Sequence, residues 1–278
     1  MTFPFNPDFE INITLPLAEA AYDAANDIPL KLPNGYTKVA DIMADTGKIA
    51  AHIAQAKPSQ QMLFRAMLLD VKKPNVFGLI AKNGDTVAIV FRGTQRAEEW
   101  LKDFEAEHVP YQPVAGFGTV HDGFQKIYDT TAANVKAGLA ACGTRTRTLL
   151  IGHSLGAALS VLCAPDVAKN AAQGNPPEVH SFAGPRAAGP DGGGVASVFA
   201  EKFDQTIPAC YRMVNRWDIV PHLPPAVMQF QHVGTAVGLD GGFTMDLVRA
   251  HSLLLSYLPG LKHLVPQTAP RLFLARVA

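Results

Sequence analysis

Short apolar stretches alternate with longer stretches of helical periodicity along most of the chain. The short stretches are rich in aliphatic side chains and predict buried strands at residues 147–153, 178–183 and 210–216. Helices are predicted around them over 123–141, after Ser154, near 194–204 and near 246–257. Strands that alternate with helices predict an α/β fold with a mostly parallel central sheet covered on both faces.

The first hundred residues are predicted to contain both helices and a hairpin. Apolar side chains at helical spacing predict helices over 16–28 and 39–56, and a further short helix near 95–105. Val76–Lys82 and Thr86–Arg92 are predicted strands. They flank Asn83-Gly84-Asp85, and an Asn-Gly pair between apolar runs is typical of a hairpin turn.

The composition is that of a globular chain with a large core. Of 278 residues, 48% are hydrophobic and 17% are charged. The formal net charge is zero, so electrostatics do not favour nucleic acid as a partner. No apolar run approaches the roughly 18 residues of a membrane-spanning helix, so none is expected. Without a repeat or linker, we predict a single domain over 1–278, with 1–60 as a helical cover.

Neither the cysteines nor the amino terminus indicates a special environment. Cys142, Cys163 and Cys210 are odd in number, and no pair has the spacing of a metal site. No metal or cofactor is therefore expected. Met1–Pro7 contains no basic segment followed by an apolar core, so no signal peptide is visible. A cytoplasmic protein and a mature secreted form both remain open, and so does the oligomeric state.

The pentapeptide Gly152-His153-Ser154-Leu155-Gly156 carries the strongest chemical signal. It lies between the predicted strand 147–153 and a predicted helix. A serine at such a strand-to-helix turn presents its hydroxyl to an open site, and flanking glycines avoid a collision across the turn. The helix amino terminus also favours developing negative charge. Ser154 is therefore predicted to be a nucleophile, although the pattern also arises by chance in a chain with 23 glycines.

A serine nucleophile needs a base and an orienting carboxylate, which follow it in the order acid then base in hydrolases built on this turn. Asp218 is the best acid, because it comes just after the predicted strand 210–216, where the sites of parallel sheets gather. A turn-forming aspartate is the alternative interpretation. Asp191 and Asp240 lie among glycines and are predicted to be turn residues.

Four histidines follow Asp218 in the chain: His222, His232, His251 and His263. His251 is the preferred base, because it lies at a turn or early helix position from which a ring is readily aimed at Ser154. His263 is the alternative. His222 is too close to Asp218 along the chain. His232, in a predicted strand at 230–234, and His153 are predicted to be structural.

The anion formed during attack needs two backbone N–H donors. One is predicted to be the N–H of Leu155, directly after the nucleophile. The other is predicted from Thr94, which follows the strand ending at Arg92 and carries a hydroxyl that can hold the loop. Gly93-Thr94 on its own would be interpreted as a simple turn.

These residues, taken in order, resemble the class 3 lipases, the fungal-type triacylglycerol lipase family of the α/β-hydrolase fold. The similarity runs from about residue 76 to 257. The matching segments are Phe91-Arg92-Gly93-Thr94 with Trp100 and Asp103, His121-Asp122-Gly123-Phe124, Gly152–Gly156, Phe182-Ala183-Gly184-Pro185-Arg186, Val214-Asn215 through Asp218-Ile219-Val220-Pro221, His232-Val233-Gly234, and His251 with Tyr257.

The resemblance implies Ser154, Asp218 and His251 as a catalytic triad and Thr94 with Leu155 as the oxyanion hole. It also implies a structural His232. The spacing from His251 to Tyr257 is longer than expected for the family. The lack of an evident leader or disulfides is more typical of a bacterial relative than of secreted fungal members.

Two elements are expected to govern access to the site. The family places a lid after the oxyanion residue, and Trp100 and Phe104 within 95–105 form one apolar helical face there. An ordinary amphipathic helix packed on the core is the alternative. Leu254, Leu255 and Leu258 follow the base and are candidates for the acyl pocket, with a core role as the alternative.

The sequence thus predicts a carboxylic ester hydrolase, most simply a triacylglycerol lipase that forms an acyl-enzyme. Its expected partner is a lipid ester substrate at an oil–water interface, without nucleic acid. An esterase for short or aromatic acyl groups and a phospholipase are the alternatives within enzymes. A catalytically inactive, lipase-like binding protein is the alternative from another class.

Overall fold

A seven-stranded sheet forms the centre of the computed structural model, which describes residues 4–69, 71–94, 107–191 and 196–266. The strands are β1 (Thr37–Met43), β2 (Val76–Asn83), β3 (Thr86–Phe91), β4 (His108–Pro110), β5 (Thr119–His121), β6 (Arg147–His153), β7 (Glu178–Phe182), β8 (Ala209–Asn215) and β9 (Thr235–Leu239). Their order in the sheet is β1-β2-β3-β6-β7-β8-β9, while β4 and β5 pair separately. From β3 to β9 all pairings are parallel, which confirms the predicted mostly parallel sheet.

Helices cover both faces of the sheet. They are α1 (Pro7–Phe9), α2 (Leu15–Asn26), α3 (Thr46–Gln55), α4 (Pro58–Leu68), α5 (Asp122–Ala141), α6 (Leu155–Asn170), α7 (Val198–Thr206), α8 (Leu247–His251) and α9 (Leu258–Leu264). A π-helical turn at Glu10–Thr14 joins α1 to α2, and a second one at Leu253–Tyr257 lies between α8 and α9. Short 3₁₀ turns lie at Val220–His222 and Ala226–Met228.

The core is divided into two apolar clusters, one on each face. One contains residues of α2 and α9 with Leu253 and Tyr257, and the other contains residues of α3 to α7. No helix in the described part of the chain is long and apolar enough to cross a membrane. The three cysteines are all buried and unpaired by disulfides.

The predicted hairpin is confirmed, with Gly84 at a positive φ of 58° between β2 and β3. The predicted helix 39–56 is wrong in its first part, because Thr37–Met43 pairs antiparallel with β2 as the edge strand β1. Helix α3 begins only after Asp45, whose side chain accepts a hydrogen bond from the Lys48 N–H and caps the helix. Residues 1–60 are therefore not an all-helical cover.

Two further predictions need correction. The strand predicted at 230–234 is instead β9 at Thr235–Leu239, and Gln231 forms an isolated bridge to Ala188 outside the named strands. The helix predicted over 246–257 is interrupted, because α8 ends at His251 and a π-helical turn follows. The capping side chain of Ser252, which accepts from the Leu255 N–H, marks this break.

Candidate active site

Ser154 lies in a strained turn between β6 and α6. Its φ is 58° and its ψ is −128°, a combination that non-glycine residues rarely adopt. A Cβ atom on Gly152 would lie 2.2 Å from the Gly156 carbonyl oxygen, and one on Gly156 would lie 2.4 Å from the Phe91 carbonyl oxygen. Both glycines are therefore required by backbone contacts, for the reason that the sequence suggested.

His251 and Asp218 form a buried hydrogen-bonded pair. His251 Nδ1 lies 2.8 Å from Asp218 Oδ2, and the same oxygen accepts a hydrogen bond from the Tyr257 hydroxyl at 2.7 Å. The other carboxylate oxygen accepts from the Val220 N–H at 3.0 Å. Three donors thus hold the carboxylate in the loop after β8, in the orientation that directs His251.

Two polar atoms of the site lack hydrogen-bond partners within the described residues. They are Ser154 Oγ and His251 Nε2, and both are buried. A buried polar atom without a partner is unusual and costs free energy. Since Asp218 occupies Nδ1 of His251, Nε2 is the nitrogen that remains to accept a proton. The arrangement therefore provides a hydroxyl and a base, each with its reactive atom uncommitted.

The backbone around His251 is fixed from two sides. The Asn215 side-chain amide donates to the Ala250 carbonyl at 2.8 Å, and His153 Nε2 donates to the His251 carbonyl at 2.9 Å. The rings of His153 and His251 lie 4.6 Å apart. His153 is thus buried and hydrogen-bonded, as a structural residue would be. Burial, followed by the nearby His251, holds the pKa of His153 well below its ordinary value.

The loop that carries Thr94 is packed directly against the Ser154 turn. A Cβ atom on Gly93 would lie 2.8 Å from Ser154 Cβ, so this loop has no space to spare. Arg92, which is fully buried, donates to the carbonyls of Val76, Met67 and Gly93 at 2.7, 2.6 and 2.9 Å. Burial lowers the pKa of Arg92 to about 10. This arginine fixes the loop after β3.

Thr94 itself is buried within this loop, and Leu155 is the first residue of α6. Their N–H groups are therefore at the end of β3 and at a helix amino terminus, which are the positions that an oxyanion hole of this kind requires. Their role as oxyanion donors stays a prediction.

The remaining predicted residues have varied positions. Trp100, Phe104 and the whole candidate lid at 95–105 lie outside the described residues. Leu254 and Leu255 are about half exposed, at 51% and 56%, whereas Leu258 packs partly buried against the core. An acyl-contacting role for these leucines stays a prediction.

Two other candidate histidines, His232 and His263, make hydrogen bonds of their own. His232 Nε2 donates to the Pro221 carbonyl at 2.7 Å, and burial lowers its pKa to about 3, which fits the expected structural role. His263 Nδ1 lies 3.1 Å from the Asp240 carbonyl oxygen, on the exposed surface. Asp240 in turn pairs with Arg216. Asp240, His232 and His263 are thus engaged in contacts of their own.

Sequence reasoning missed the contributions of Tyr22 and Asn215, and it left Tyr257 in doubt. The long spacing between His251 and Tyr257 is accommodated by the π-helical turn Leu253–Tyr257, which holds an extra residue in one turn. Tyr22 and Asn215 act through contacts distant in the chain, which no local pattern reveals. An Asn that ends a buried strand was the one available signal.

Comparisons with known proteins identify the family and the fold of the chain. The family model described as "Lipase (class 3)" matches residues 88–228, about half of the chain, and spans the Ser154 turn and Asp218. The chain therefore belongs to the class 3 lipase family, and its fold is that of the α/β-hydrolases.

Among curated relatives, the secreted mono- and diacylglycerol lipase 1 of Fusarium solani is 31% identical over 159 residues, which are 56% of this chain and 44% of that protein. The lipase of Rhizomucor miehei is 32% identical over 154 residues, 54% of this chain and 40% of that protein. The chain spans less than half the length of these relatives.

Solved structures show the same architecture. A triacylglycerol lipase in which a serine protease triad forms the catalytic centre is 30% identical, with a TM-score of 0.51 over 58% of this chain and 60% of that one. The Lip2 lipase of Yarrowia lipolytica is only 17% identical, but its TM-score is 0.59 over 86% of this chain and 81% of that one, which supports the fold alone.

Proposed function

We propose that the protein is a serine carboxylic ester hydrolase that acts on acylglycerols. The observation that carries the proposal is the pair formed by His251 and Asp218 at 2.8 Å, together with the uncommitted atoms His251 Nε2 and Ser154 Oγ. Membership of the class 3 lipases and the strained turn at Ser154 support it.

In this mechanism Ser154 Oγ attacks the ester carbonyl carbon while His251 Nε2 takes the hydroxyl proton. Asp218 keeps the ring oriented and stabilises the imidazolium that forms. The N–H groups of Leu155 and Thr94 stabilise the oxyanion of the tetrahedral intermediate. When the intermediate collapses, the ester C–O bond breaks, and the leaving alkoxide takes the proton from His251.

Water then attacks the acyl-enzyme by the same route. His251 removes a proton from the water, the second tetrahedral intermediate forms in the same oxyanion hole, and Ser154 leaves with the proton from His251. The fatty acid is released and the starting state is restored. The Val220 N–H, His251 Nδ1 and the Tyr257 hydroxyl hold the Asp218 carboxylate in place throughout the cycle.

Substrate class is the finer part of the proposal. We place acylglycerols first because relatives from Fusarium solani and Rhizomucor miehei are named lipases. A phospholipase is the second candidate, because a rice protein named phospholipase A1-II 3 is 31% identical over 194 residues. That match covers 59% of this chain and 44% of the rice protein.

The test is hydrolysis by the wild type and by Ser154→Ala of three substrate classes: p-nitrophenyl esters from short to long chains, emulsified tri- and diacylglycerols, and phosphatidylcholine vesicles. We expect long-chain and emulsion activity in the wild type and a loss of about four decades in kcat in Ser154→Ala. Activity only on short chains would indicate an esterase. Preference for the vesicles would indicate a phospholipase, and equal inactivity of both proteins would refute catalysis.

A further inference from the structure

A chain of hydrogen bonds links the loop after β3 to the backbone of His251 without involving Asp218. The Gly93 N–H donates to the Tyr22 hydroxyl oxygen at 3.0 Å, and that hydroxyl lies 2.7 Å from His153 Nδ1. The other nitrogen of His153 donates to the His251 carbonyl at 2.9 Å. Tyr22 belongs to α2, far from the other members in sequence.

The proton positions in this chain are determined by its ends. A carbonyl oxygen only accepts, so His153 Nε2 carries a proton, and a neutral ring then leaves Nδ1 as an acceptor. Tyr22 must donate its single proton to Nδ1, because Nδ1 carries no proton of its own, and the Tyr22 oxygen accepts from the Gly93 N–H. Burial raises the pKa of Tyr22, which keeps this proton in place. All four groups therefore have one consistent arrangement.

The two ends of the chain are the parts that the proposed reaction uses. Gly93 precedes Thr94, and a Cβ on Gly93 would lie 2.7 Å from the Tyr22 hydroxyl and 2.8 Å from Ser154 Cβ. The His251 carbonyl belongs to the residue that supplies the base. One side chain, Tyr22, thus couples the position of an oxyanion donor to the position of the base.

A neutral ring at position 153 also suits the charge that develops beside it. The ring of His251 lies 4.6 Å from that of His153 and becomes a cation during attack. A second cation at this distance would oppose that step by charge repulsion. A ring that is locked neutral, with one donor and one acceptor, holds the backbone without this repulsion.

We propose that Tyr22 and His153 are positioning residues that set the oxyanion loop and the base in register with Ser154. This inference rests on the proposed hydrolase function. Neither side chain touches the reacting atoms in this scheme, so neither is a catalytic residue. Their removal is expected to lower the rate of the chemical steps rather than the binding of substrate.

The test is Tyr22→Phe, assayed on a soluble p-nitrophenyl ester below the melting temperature of each variant. We expect kcat to fall about 10- to 100-fold while KM changes less than about threefold, because a misplaced donor weakens transition-state binding more than ground-state binding. Tyr36→Phe is the matched control, since Tyr36 is buried in the apolar cluster against which Tyr22 packs, and it should keep wild-type kcat.

Two further measurements separate positioning from stability alone. In ¹⁵N-histidine NMR spectra the wild type should show His153 as the neutral ring protonated at Nε2, and Tyr22→Phe should shift its Nδ1 signal. If Tyr22 and His153 act as one hydrogen-bonded chain, their effects on kcat should not add. The double variant Tyr22→Phe with His153→Phe should then have a kcat no more than about threefold below that of the less active single variant. If Tyr22→Phe does not fold, His153→Gln, which keeps an N–H donor, should retain far more kcat than His153→Leu.

The outcomes distinguish this inference from the proposed function. A folded Tyr22→Phe with wild-type kcat, or equal kcat for His153→Gln and His153→Leu, would overturn the inference and leave the hydrolase standing. A wild type without Ser154-dependent hydrolysis would overturn the proposed function, and the positioning role with it, even where NMR finds the hydrogen bonds intact.

Discussion

The buried ion cluster at Glu10 should make the stability of the protein fall between pH 6 and 8. His180 Nδ1 lies 2.7 Å from Glu10 Oε1, and both side chains are almost completely buried. His180 Nε2 lies 3.8 Å from Glu178, which accepts two hydrogen bonds from Arg147 at 2.7 Å each. Burial lowers the pKa of His180, but the two carboxylates outweigh it and raise that pKa to about 9.

The sign and size of the effect follow from this pKa. His180 binds its proton more tightly in the folded protein than in the unfolded chain, where its pKa is about 6.5. Its contribution is therefore fully present below about pH 6.5 and is lost as the pH rises through 9. At about 1.4 kcal/mol for each factor of ten, the whole contribution is about 3 kcal/mol, of which about 2 kcal/mol is lost between pH 6 and 8.

The assay is urea unfolding of the wild type and of Glu10→Gln at pH 6, 7 and 8. Glutamine keeps an oxygen for the Thr14 hydroxyl but removes the charge. The wild type should lose about 2 kcal/mol across this range. Glu10→Gln keeps only Glu178 of the two carboxylates beside His180 and should lose less, so the stability difference between the two proteins should shrink as the pH rises. The limit at pH 8 avoids ionisation of thiols in the unfolded chain, which begins near their ordinary pKa of about 8.5.

Two controls complete the experiment. In a His180→Gln background, which lacks the titrating group, adding Glu10→Gln should change the free energy of unfolding by the same amount at all three pH values. Asp41→Asn removes an exposed partner of Lys38 and should change stability by less than about 1 kcal/mol. A difference between the wild type and Glu10→Gln that stays constant with pH would refute the reasoning, since His180 would then be neutral in the folded protein.

Two other substitutions probe the site itself. Gly156→Ala places a Cβ 2.4 Å from the Phe91 carbonyl oxygen and should lower the free energy of unfolding, measured in urea, by at least about 2 kcal/mol. The control Gly238→Ala places its Cβ in open space and should not lower it. Equal effects of the two substitutions would contradict the packing argument. Tyr257→Phe removes one donor from Asp218 and should lower kcat/KM about 10-fold on a soluble ester, and an unchanged value would show that the remaining donors suffice.

The elements around Ser154 were predictable because their signals are local. The strand 147–153, the turn and the following helix are contiguous in the chain. In a parallel sheet the carboxyl ends of the strands lie at one edge, where sites gather. Asp218 was chosen for its position after a predicted strand and His251 for its position at a turn or early in a helix, and the structure brings these two together. The Ser154→Ala and Tyr257→Phe experiments test the catalytic roles proposed for this site.

The edge strand β1 was not predictable in the same way. Val39, Ile42 and Met43 stand at a spacing that also fits a helix continuous with α3. Pairing with β2 decides between the two, and that pairing joins residues about forty positions apart. The better signal was Asp45, a residue type that commonly caps a helix and that separates the strand from α3.

The hydrogen-bond partners of Tyr22 lie beyond any local pattern, because 131 residues separate Tyr22 from His153. The helical segment that carries Tyr22 is attached at its other end by Glu10 to His180 in β7. From Glu10 to Tyr22 this segment extends about 18 Å, so it crosses from β7 to the loop after β3. The ion cluster therefore anchors the segment that delivers Tyr22. Since Tyr22 keeps its own partners in Glu10→Gln, that variant should lose stability while the folded protein keeps its kcat.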